Sequence, residues 1–465
     1  MAREVHIIRV PEVSAGSPLP GLIGSATAKI KALLGDRLVR NAGWFGMAEF
    51  GNRLTRLVTT VVLARWLTAE DFGIAAIAIT TFEILRIIAQ TGVGQAVGRV
   101  PESELAATCA TAHRVSWLIC LATTAVQIAI GAGIAAYTGR PEVFWMIASC
   151  AGVYLTLPFG QIQAHLVVRA NRLHVLAVIA LVQVAADNLL TAAFAVAGYG
   201  AWSIVLPKLI TAPIWVIGLR RAQTWRRDPA AGFAPWRPIV KFAATIVGSD
   251  LIVASRFHLD KIVVGTMLGV EGLGLYYFVF NAGVGFSLSL TSSLAASMYP
   301  HLAELAAKPR ELLARYDGML RKAVAPVAAI IALQAALALL YVPFVFGARF
   351  APEAYLVAIL CASAISKPMY DGAAQLLRIA GLPQLELLGS VSLTCLSLAA
   401  LAAGLPLGLG AGVIALSAAT FAIQIIFAVA VRRGLGMDRH MIHQRAAAPL
   451  DAPSQARFDP TGVAA

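Results

Sequence analysis

The residues of this chain that could do chemistry are charges set into apolar sequence. Seven bases (Arg53, Arg56, Arg86, Lys208, Arg256, Lys261, Lys367) and six acids (Glu49, Glu83, Asp187, Asp250, Asp260, Asp371) interrupt runs that are otherwise hydrophobic. One charge at the centre of a membrane span costs roughly 2.5–3.5 kcal/mol on the lenient insertion scale. A dozen facing lipid would cost on the order of tens of kcal/mol, beyond any folding margin. These side chains must therefore face a watery cavity or one another. Helical spacing sorts them into stripes. Glu49, Arg53, Arg56 and Thr60 share one helix face, and Glu83, Arg86 and Gln90 share another. Asp250 and Lys261 fall on one side of a later helix, with Ser249, Arg256 and Asp260 in an adjacent stripe, and Lys367 and Asp371 form an i, i+4 pair.

A guanidinium stays charged and offers paired donors to phosphate oxygens. Arg53, Arg56 and Arg256, with Arg86, Lys208 and Lys367 beside them, are thus the expected contacts for a diphosphate-like anion. A competing reading has each base neutralised locally (Glu49 with Arg53, Glu83 with Arg86, Asp260 with Arg256), so that the pairs only tie helices together. Glu49, Asp250 and Asp260 are candidates to carry a coupling proton or sodium ion. No metal or organic cofactor is expected. The five cysteines sit singly with no CxxC spacing, and His440 and His443 lie in a polar tail. The sequence holds no nucleotide-binding loop and no Ser/His/Asp set, which argues against an enzyme.

These stripes need membrane helices to position them. Hydrophobic residues make up 59% of the 465-residue chain and charged residues 13%, with mean hydropathy +0.76. Soluble domains carry about a quarter charged residues, so the fold expected is an all-α integral membrane protein. Apolar runs of roughly 20 residues give about twelve transmembrane helices, near 43–66, 71–92, 114–137, 142–168, 173–197, 200–220, 241–268, 272–299, 319–343, 353–378, 382–404 and 408–431. The expected domains are a cytoplasmic segment 1–40 with an amphipathic stretch at 22–39, a six-helix bundle 41–220, a basic linker 221–240, a second bundle 241–432, and a disordered cytoplasmic tail 433–465. The bundles are expected to be pseudo-equivalent around a central cavity. Pro158, Pro207, Pro213, Pro326 and Pro368 fall in or beside spans, where they would kink helices around that cavity.

Charge fixes the expected orientation. With twelve spans, 27 of the 37 Lys and Arg residues lie on the side of the termini and three, Arg65, Arg140 and Arg349, on the other. The positive-inside rule makes the first side cytoplasmic. A net charge of +13 then concerns anionic lipid and not nucleic acid, for which no soluble basic domain is present.

The turn Ala64-Arg65-Trp66-Leu67-Thr68-Ala69-Glu70-Asp71-Phe72-Gly73 returns 201 residues later, with Leu67/Leu268, Glu70/Glu271 and Gly73/Gly274 in register. Apolar helix flanks both copies, as in a duplicated transporter unit. The same turn resembles the "ARLLSPEDFG" signature of Wzx-type polysaccharide flippases, the oligosaccharidyl-lipid branch of the MATE-like (MOP) superfamily. Thr91-Gly92-Val93-Gly94-Gln95-Ala96 is similar to that family's "DLGLGAA" segment, with Thr91 in place of the acid. Gly198-Tyr199-Gly200-Ala201-Trp202-Ser203 is similar to "GYGVWSL", Leu259-Asp260-Lys261-Ile262-Val263-Val264-Gly265 to "LDNLLIG", Leu273-Gly274-Leu275-Tyr276-Tyr277 to "LGYYS", and Met298-Tyr299-Pro300 to "LFP". The matches run in order through about residues 40–300. The resemblance implies an inner-membrane flippase that moves undecaprenyl-diphosphate-linked oligosaccharide to the periplasmic leaflet by alternating access, for exopolysaccharide, O-antigen or capsule. Its implied partners are that substrate, membrane lipids, a polysaccharide polymerase and a chain-length regulator. The alternatives are a cation-coupled MATE-type exporter, whose cavity should be acidic or aromatic, and a polymerase or ligase, which needs a larger outer loop than this chain has.

Overall fold

The computed structural model describes residues 51–437 apart from 52–54, 57, 91–92, 99, 256–257 and 304–308. Glu49, Arg53, Arg256, the 22–39 stretch and the tail beyond 437 lie outside the described residues. Within them all regular structure is helical. Helix α1 (58–66) leads into α2 (Ala69–Gln90), α3 (Val93–Val97), α4 (Glu102–Thr138), α5 (Pro141–Thr156), α6 (Pro158–Arg169), α7 (Leu173–Val196) and α8 (Trp202–Ala222). After the basic linker come α9 (Trp236–Ser255), α10 (Leu259–Ala303), α11 (Pro309–Met319), α12 (Ala325–Tyr341), α13 (Ala354–Ser363), α14 (Lys367–Ile379), α15 (Pro383–Gly404) and α16 (Leu409–Met437). Among the described residues nine helices are long and apolar enough to cross a membrane, or ten if the bent pair α5–α6 is one span. This is a multi-pass membrane protein.

The prolines act in three ways. At Pro158 the missing N–H and the ring separate α5 from α6 with a 52° bend. Pro326 follows a π-helical turn, Leu320–Val324, and Pro368 follows a 3-10 turn, Ala364–Ser366. Pro207 and Pro213 stay inside the unbroken α8. The expected seventh span, 241–268, is not one helix. Helix α9 ends at Ser255 and α10 starts at Leu259, so the stripe joining Asp250 to Lys261 does not lie on a continuous helix. Helix α10 is itself broken at Gly269, whose φ of 72° is open mainly to glycine.

The duplicated turn explains how the two parts of the chain meet. Thr68 and Asp71 cap α2 reciprocally: Asp71 N–H donates to Thr68 Oγ1 (3.0 Å), while Thr68 N–H and Oγ1 donate to Asp71 Oδ2 (2.9 and 2.7 Å). The other carboxylate oxygen accepts from Ala201 N–H at 3.2 Å. Two sequence motifs about 130 residues apart are thus joined at one carboxylate. Helix α2 then packs along α10 with unusual closeness. A methyl group on Gly73 would overlap the carbonyl of Val270, and one on Gly274 would overlap the carbonyl of Ala69. The two contacts are the same contact shifted by 201 residues, so the repeat units face each other across a local two-fold.

Around this crossing lies the largest core. It contains Leu67, Phe72, Ile79, Tyr276, Phe278, Phe346 and Phe350 and draws on helices from both sides of the linker. Phe278 stacks on Phe350 with ring centroids 3.9 Å apart, and Phe72 sits 6.1 Å from Phe278. Arg65 donates to the carbonyls of Val345 and Phe344 (3.1 and 3.4 Å), Arg349 donates to Leu67 O (3.5 Å), and Arg140 pairs with Glu70. The other end of the helices is held by two separate clusters. One joins Val97, Cys109, Val115 and Ile162 to Ile239 and Ala243 of α9, and the other joins Leu302, Leu312, Tyr316 and Leu376. This core joins helices from both sides of the linker, whereas among the described residues the other two clusters are local.

Gly73→Ala and Gly274→Ala should each lower stability by about 1–3 kcal/mol through overpacking. Gly133→Ala in α4, where the added methyl group meets nothing, should gain about 0.5–1 kcal/mol. Thermal unfolding in detergent reads the contrast, and equal effects at the three positions would contradict this packing.

Candidate functional site

Beside the largest core, α1, α2, α7, α8 and α10 enclose a cavity of about 440 Å³. A second cavity of about 450 Å³ lies beside it along α2, α7 and α8 and reaches the bend at Leu157. Both are lined by Glu83, Val184, Asp187 and Lys208, so they are two lobes of one polar chamber. Helical period places the lining. Thr80, Glu83, Arg86 and Gln90 recur at three- and four-residue steps on α2 and present one face, while Phe72, Ala75, Ala78, Phe82 and Ala89 of that helix pack into the core.

Arg56 lines the first lobe and donates through Nη2 to Asn281 Oδ1 at 2.9 Å, a bond between α10 and the helical residues before α1. Among the described residues no carboxylate pairs with it. The other bases are matched. Arg86 donates twice to Glu83 Oε2 (2.9 and 2.5 Å). Lys208 holds Asp187 Oδ2 at 2.5 Å, leaving Asp187 Oδ1 buried with no partner. Lys261 sits 3.2 Å from Asp260 Oδ1 and 4.1 Å from the centre of the Phe280 ring, and Tyr276 donates to Asp260 Oδ2 at 2.7 Å. A buried pair of this kind is nearly neutral in energy as long as both charges stay.

Of the residues expected at the site, Arg56, Arg86 and Lys208 line this chamber. Lys367 does not. It pairs with Asp371 and lines a separate pocket of about 110 Å³ with Asp260, Ser397 and Gln424. The expected partner of Asp260 was Arg256, which lies outside the described residues, and Asp260 is instead held by its neighbour Lys261 and by Tyr276. Asp250 stands half-buried on α9, and none of the cavities described here includes it. The local-neutralisation reading therefore describes Arg86 and leaves Arg56 unmatched. Reasoning from charge places Thr60 on the face of Arg56 and misses Thr80, Asn188, Tyr277 and Asn281, all of which line the first lobe. Neutral polar side chains carry no charge that has to be paired or wetted, so their place in a span does not by itself demand a cavity. Their signal was the repeat, since Thr80 and Asn281 are equivalent positions 201 residues apart. Among the described residues no cluster of three His, Cys, Asp or Glu could hold a metal ion. The chamber is a polar space between membrane-length helices with one guanidinium that no described carboxylate neutralises.

Known proteins agree with this architecture. A family described as "Polysaccharide biosynthesis protein" matches residues 62–354. A succinoglycan biosynthesis transport protein, ExoT, of Rhizobium meliloti (strain 1021) is 25% identical over 251 residues, covering 51% of this chain and 48% of that one. The chain thus spans about half the length of this curated relative. Among solved structures, the lipid II flippase MurJ in an inward closed conformation superposes with a TM-score of 0.65 at 11% identity, over 86% of this chain and 89% of MurJ. An inward-facing multidrug resistance MATE family transporter of the MOP superfamily gives 0.63 at 12% identity, over 82% and 94%. At such identities the likeness is one of fold.

Asp260→Leu leaves the Lys261 ammonium, 7% exposed, without its counter-charge and should cost about 3–5 kcal/mol. The double variant Asp260→Leu/Lys261→Met should recover most of that loss. A double variant as unstable as the single one would show that the pair is not the linked unit described.

Proposed function

The chain belongs to the polysaccharide biosynthesis protein family, and from that premise we propose that it flips an undecaprenyl-diphosphate-linked oligosaccharide across the inner membrane. The observation that carries the reading is Arg56, a guanidinium open to the chamber whose bond among the described residues is to a neutral amide. It can add phosphate oxygens without first breaking an ion pair. Lys208 and Arg86 border the same space and lend positive field, although each is balanced by an acid. Arg53 and Arg256 are proposed to complete the site from the adjoining helix ends. A MATE-type cation exporter needs a free carboxylate here, whereas Glu83 and Asp187 are both held by bases.

In this proposal the basic linker, Arg169, Arg172 and the chain termini face the cytoplasm, following the Lys and Arg asymmetry. The end bearing Arg65, Arg140 and Arg349 is then periplasmic, and the chamber receives substrate from the cytoplasmic side. Two six-helix bundles, 41–220 and 241–432, rock about the linker 221–240 and about the Gly73/Gly274 crossing, so the core around that crossing must part for release. Substrate must interact differently with the two states for its supply to drive the cycle. Proton or sodium coupling falls to Asp250 or Glu49, because Asp260 is engaged by Lys261 and Tyr276. A polymerase and a chain-length regulator would draw off the product. No step breaks a covalent bond, so the protein works as a transporter and not an enzyme.

Arg56→Ala should abolish polysaccharide export while the protein still inserts, and Arg56→Lys should restore it only in part because the paired donors are lost. Wild-type export by Arg56→Ala, with normal membrane levels, would remove Arg56 from the site. Reporter fusions at Arg226 and Met437 should read cytoplasmic, and one at Gly139 periplasmic; the reverse pattern would overturn the orientation.

A further inference from the structure

The helices after the linker enclose a pocket of their own, of about 110 Å³, between α10 and α13 to α16. That volume holds several waters, since about 10–15 Å³ is enough for one. Among the described residues Phe280 alone lines both this pocket and the polar chamber. Two charged residues stand in its wall, Lys367 and Asp260. Both oxygens of Asp260 are taken. Its Oδ1 accepts from the backbone N–H and the ammonium of Lys261 (2.8 and 3.2 Å), and its Oδ2 accepts from Tyr276 (2.7 Å). Lys367 pairs with Asp371, which is not part of the wall, and its ammonium carries three donors.

The hydroxyls around this space divide into two kinds. Ser363, Thr394 and Ser397 donate to the carbonyls of Leu360, Ser390 and Leu393 on their own helices, a common habit of Ser and Thr in helices. The hydroxyls of α16 do not. Ser417 is 5% exposed, and its buried Oγ has no hydrogen-bond partner. Thr420 makes no hydrogen bond among the described residues. Gln424 meets Ser366 Oγ at 2.6 Å through one amide atom, and in either orientation of the amide at least one N–H stays unspent. Ser417, Thr420 and Gln424 fall at i, i+3 and i+7 on α16 and so share the face that lines the pocket. Buried donors without acceptors are rare because leaving them unmet is costly. With three neutral donors on one wall, an ammonium on another and no free carboxylate oxygen between them, the pocket lacks an acceptor.

We propose that this pocket is a site for a small monovalent anion such as chloride, held between the Lys367 ammonium and the Ser417 and Thr420 hydroxyls. A halide is little larger than a water molecule and accepts from every donor named above. A hard metal cation needs oxygen ligands, and here the one carboxylate in the wall is engaged while Lys367 repels positive charge. Water also fills a polar pocket, but it confers no dependence on the anion in solution. Bound in this place, the anion joins α14 to α16 and tightens the helices after the linker at a point outside the chamber. The inference stands whatever the protein carries.

The test follows thermal unfolding of the full chain in detergent while sodium gluconate is replaced by sodium chloride at constant sodium and ionic strength. An anion that binds the folded state raises the melting temperature, and the concentration at which the rise sets in reads its affinity. The wild type should rise with chloride, and bromide should substitute for it. Ser417→Ala and Thr420→Val change little but the hydroxyl, so folding is not at risk. Each should need at least about tenfold more chloride for the same rise, which is the worth of one hydrogen bond to an ion. A wild-type melting temperature indifferent to chloride, or an unchanged response in either variant, overturns the site. So does a response that Arg56→Ala abolishes, because the anion would then sit in the chamber.

Discussion

Charge in hydrocarbon is the constraint on which this structure depends. A chain that places thirteen ionisable groups inside apolar spans can keep them only by pairing them or wetting them. The molecule does both. Lys208 with Asp187, Lys261 with Asp260, Arg86 with Glu83 and Lys367 with Asp371 are pairs within or between neighbouring helices. Of the in-span bases among the described residues, Arg56 is the one with no carboxylate partner. It occupies the wall of the chamber and is balanced by an amide. The pairs make the chamber polar without giving it a strong net charge, and the anion preference proposed for it rests on the unmatched arginine.

The chamber exists because the helices around it are pinned at one end. Small residues at Gly73 and Gly274 bring α2 and α10 into backbone contact, and the Phe72–Phe278–Phe350 stack fills the space beside them. The chamber lies beside that crossing, and its second lobe reaches the bend between α5 and α6 at Leu157. Each carbonyl that meets a repeat glycine belongs to the residue equivalent to the other, which is the geometry of an internal two-fold. Such a contact can act as a fulcrum because it is small, stiff and symmetric. The capping carboxylate of Asp71, shared with Ala201, holds the start of α8 to the same point. Gly200 beside it has φ +54°, and a side chain there would press on that carboxylate. The two motifs therefore record one joint and say nothing of the cargo.

Much of this was legible in the sequence. Helical character, the weight of bases at one end and the repeat all follow from hydropathy, Lys and Arg placement and three identities in register. Arg56, Arg86 and Lys208 could be found because a charge in an apolar run has few places to go. Lys367 shows where such reasoning stops, since depth in a span does not say which helices stand opposite, and its own pocket lies between α10 and α13 to α16. The Asp260–Lys261 pair was hidden for another reason. Helical spacing pairs residues three and four apart on a continuous helix, but α10 begins at Leu259, and in its first turn Asp260 accepts from the backbone N–H and the ammonium of the next residue. Thr80 and Asn281 carry no charge to betray them, and only the two-fold relates them.

The central claim is that Arg56 looks into a wet, anion-holding chamber reached from the face that bears the basic linker. Thr60 lines the same lobe one turn further along, so Thr60→Cys reports on that space directly. Of the native cysteines four are buried, and the unsubstituted protein supplies the background. A membrane-impermeant thiol reagent added from the cytoplasmic face should label Thr60→Cys, and inorganic pyrophosphate should slow the reaction. Absence of labelling from that face, or a rate that pyrophosphate leaves unchanged, would contradict the account.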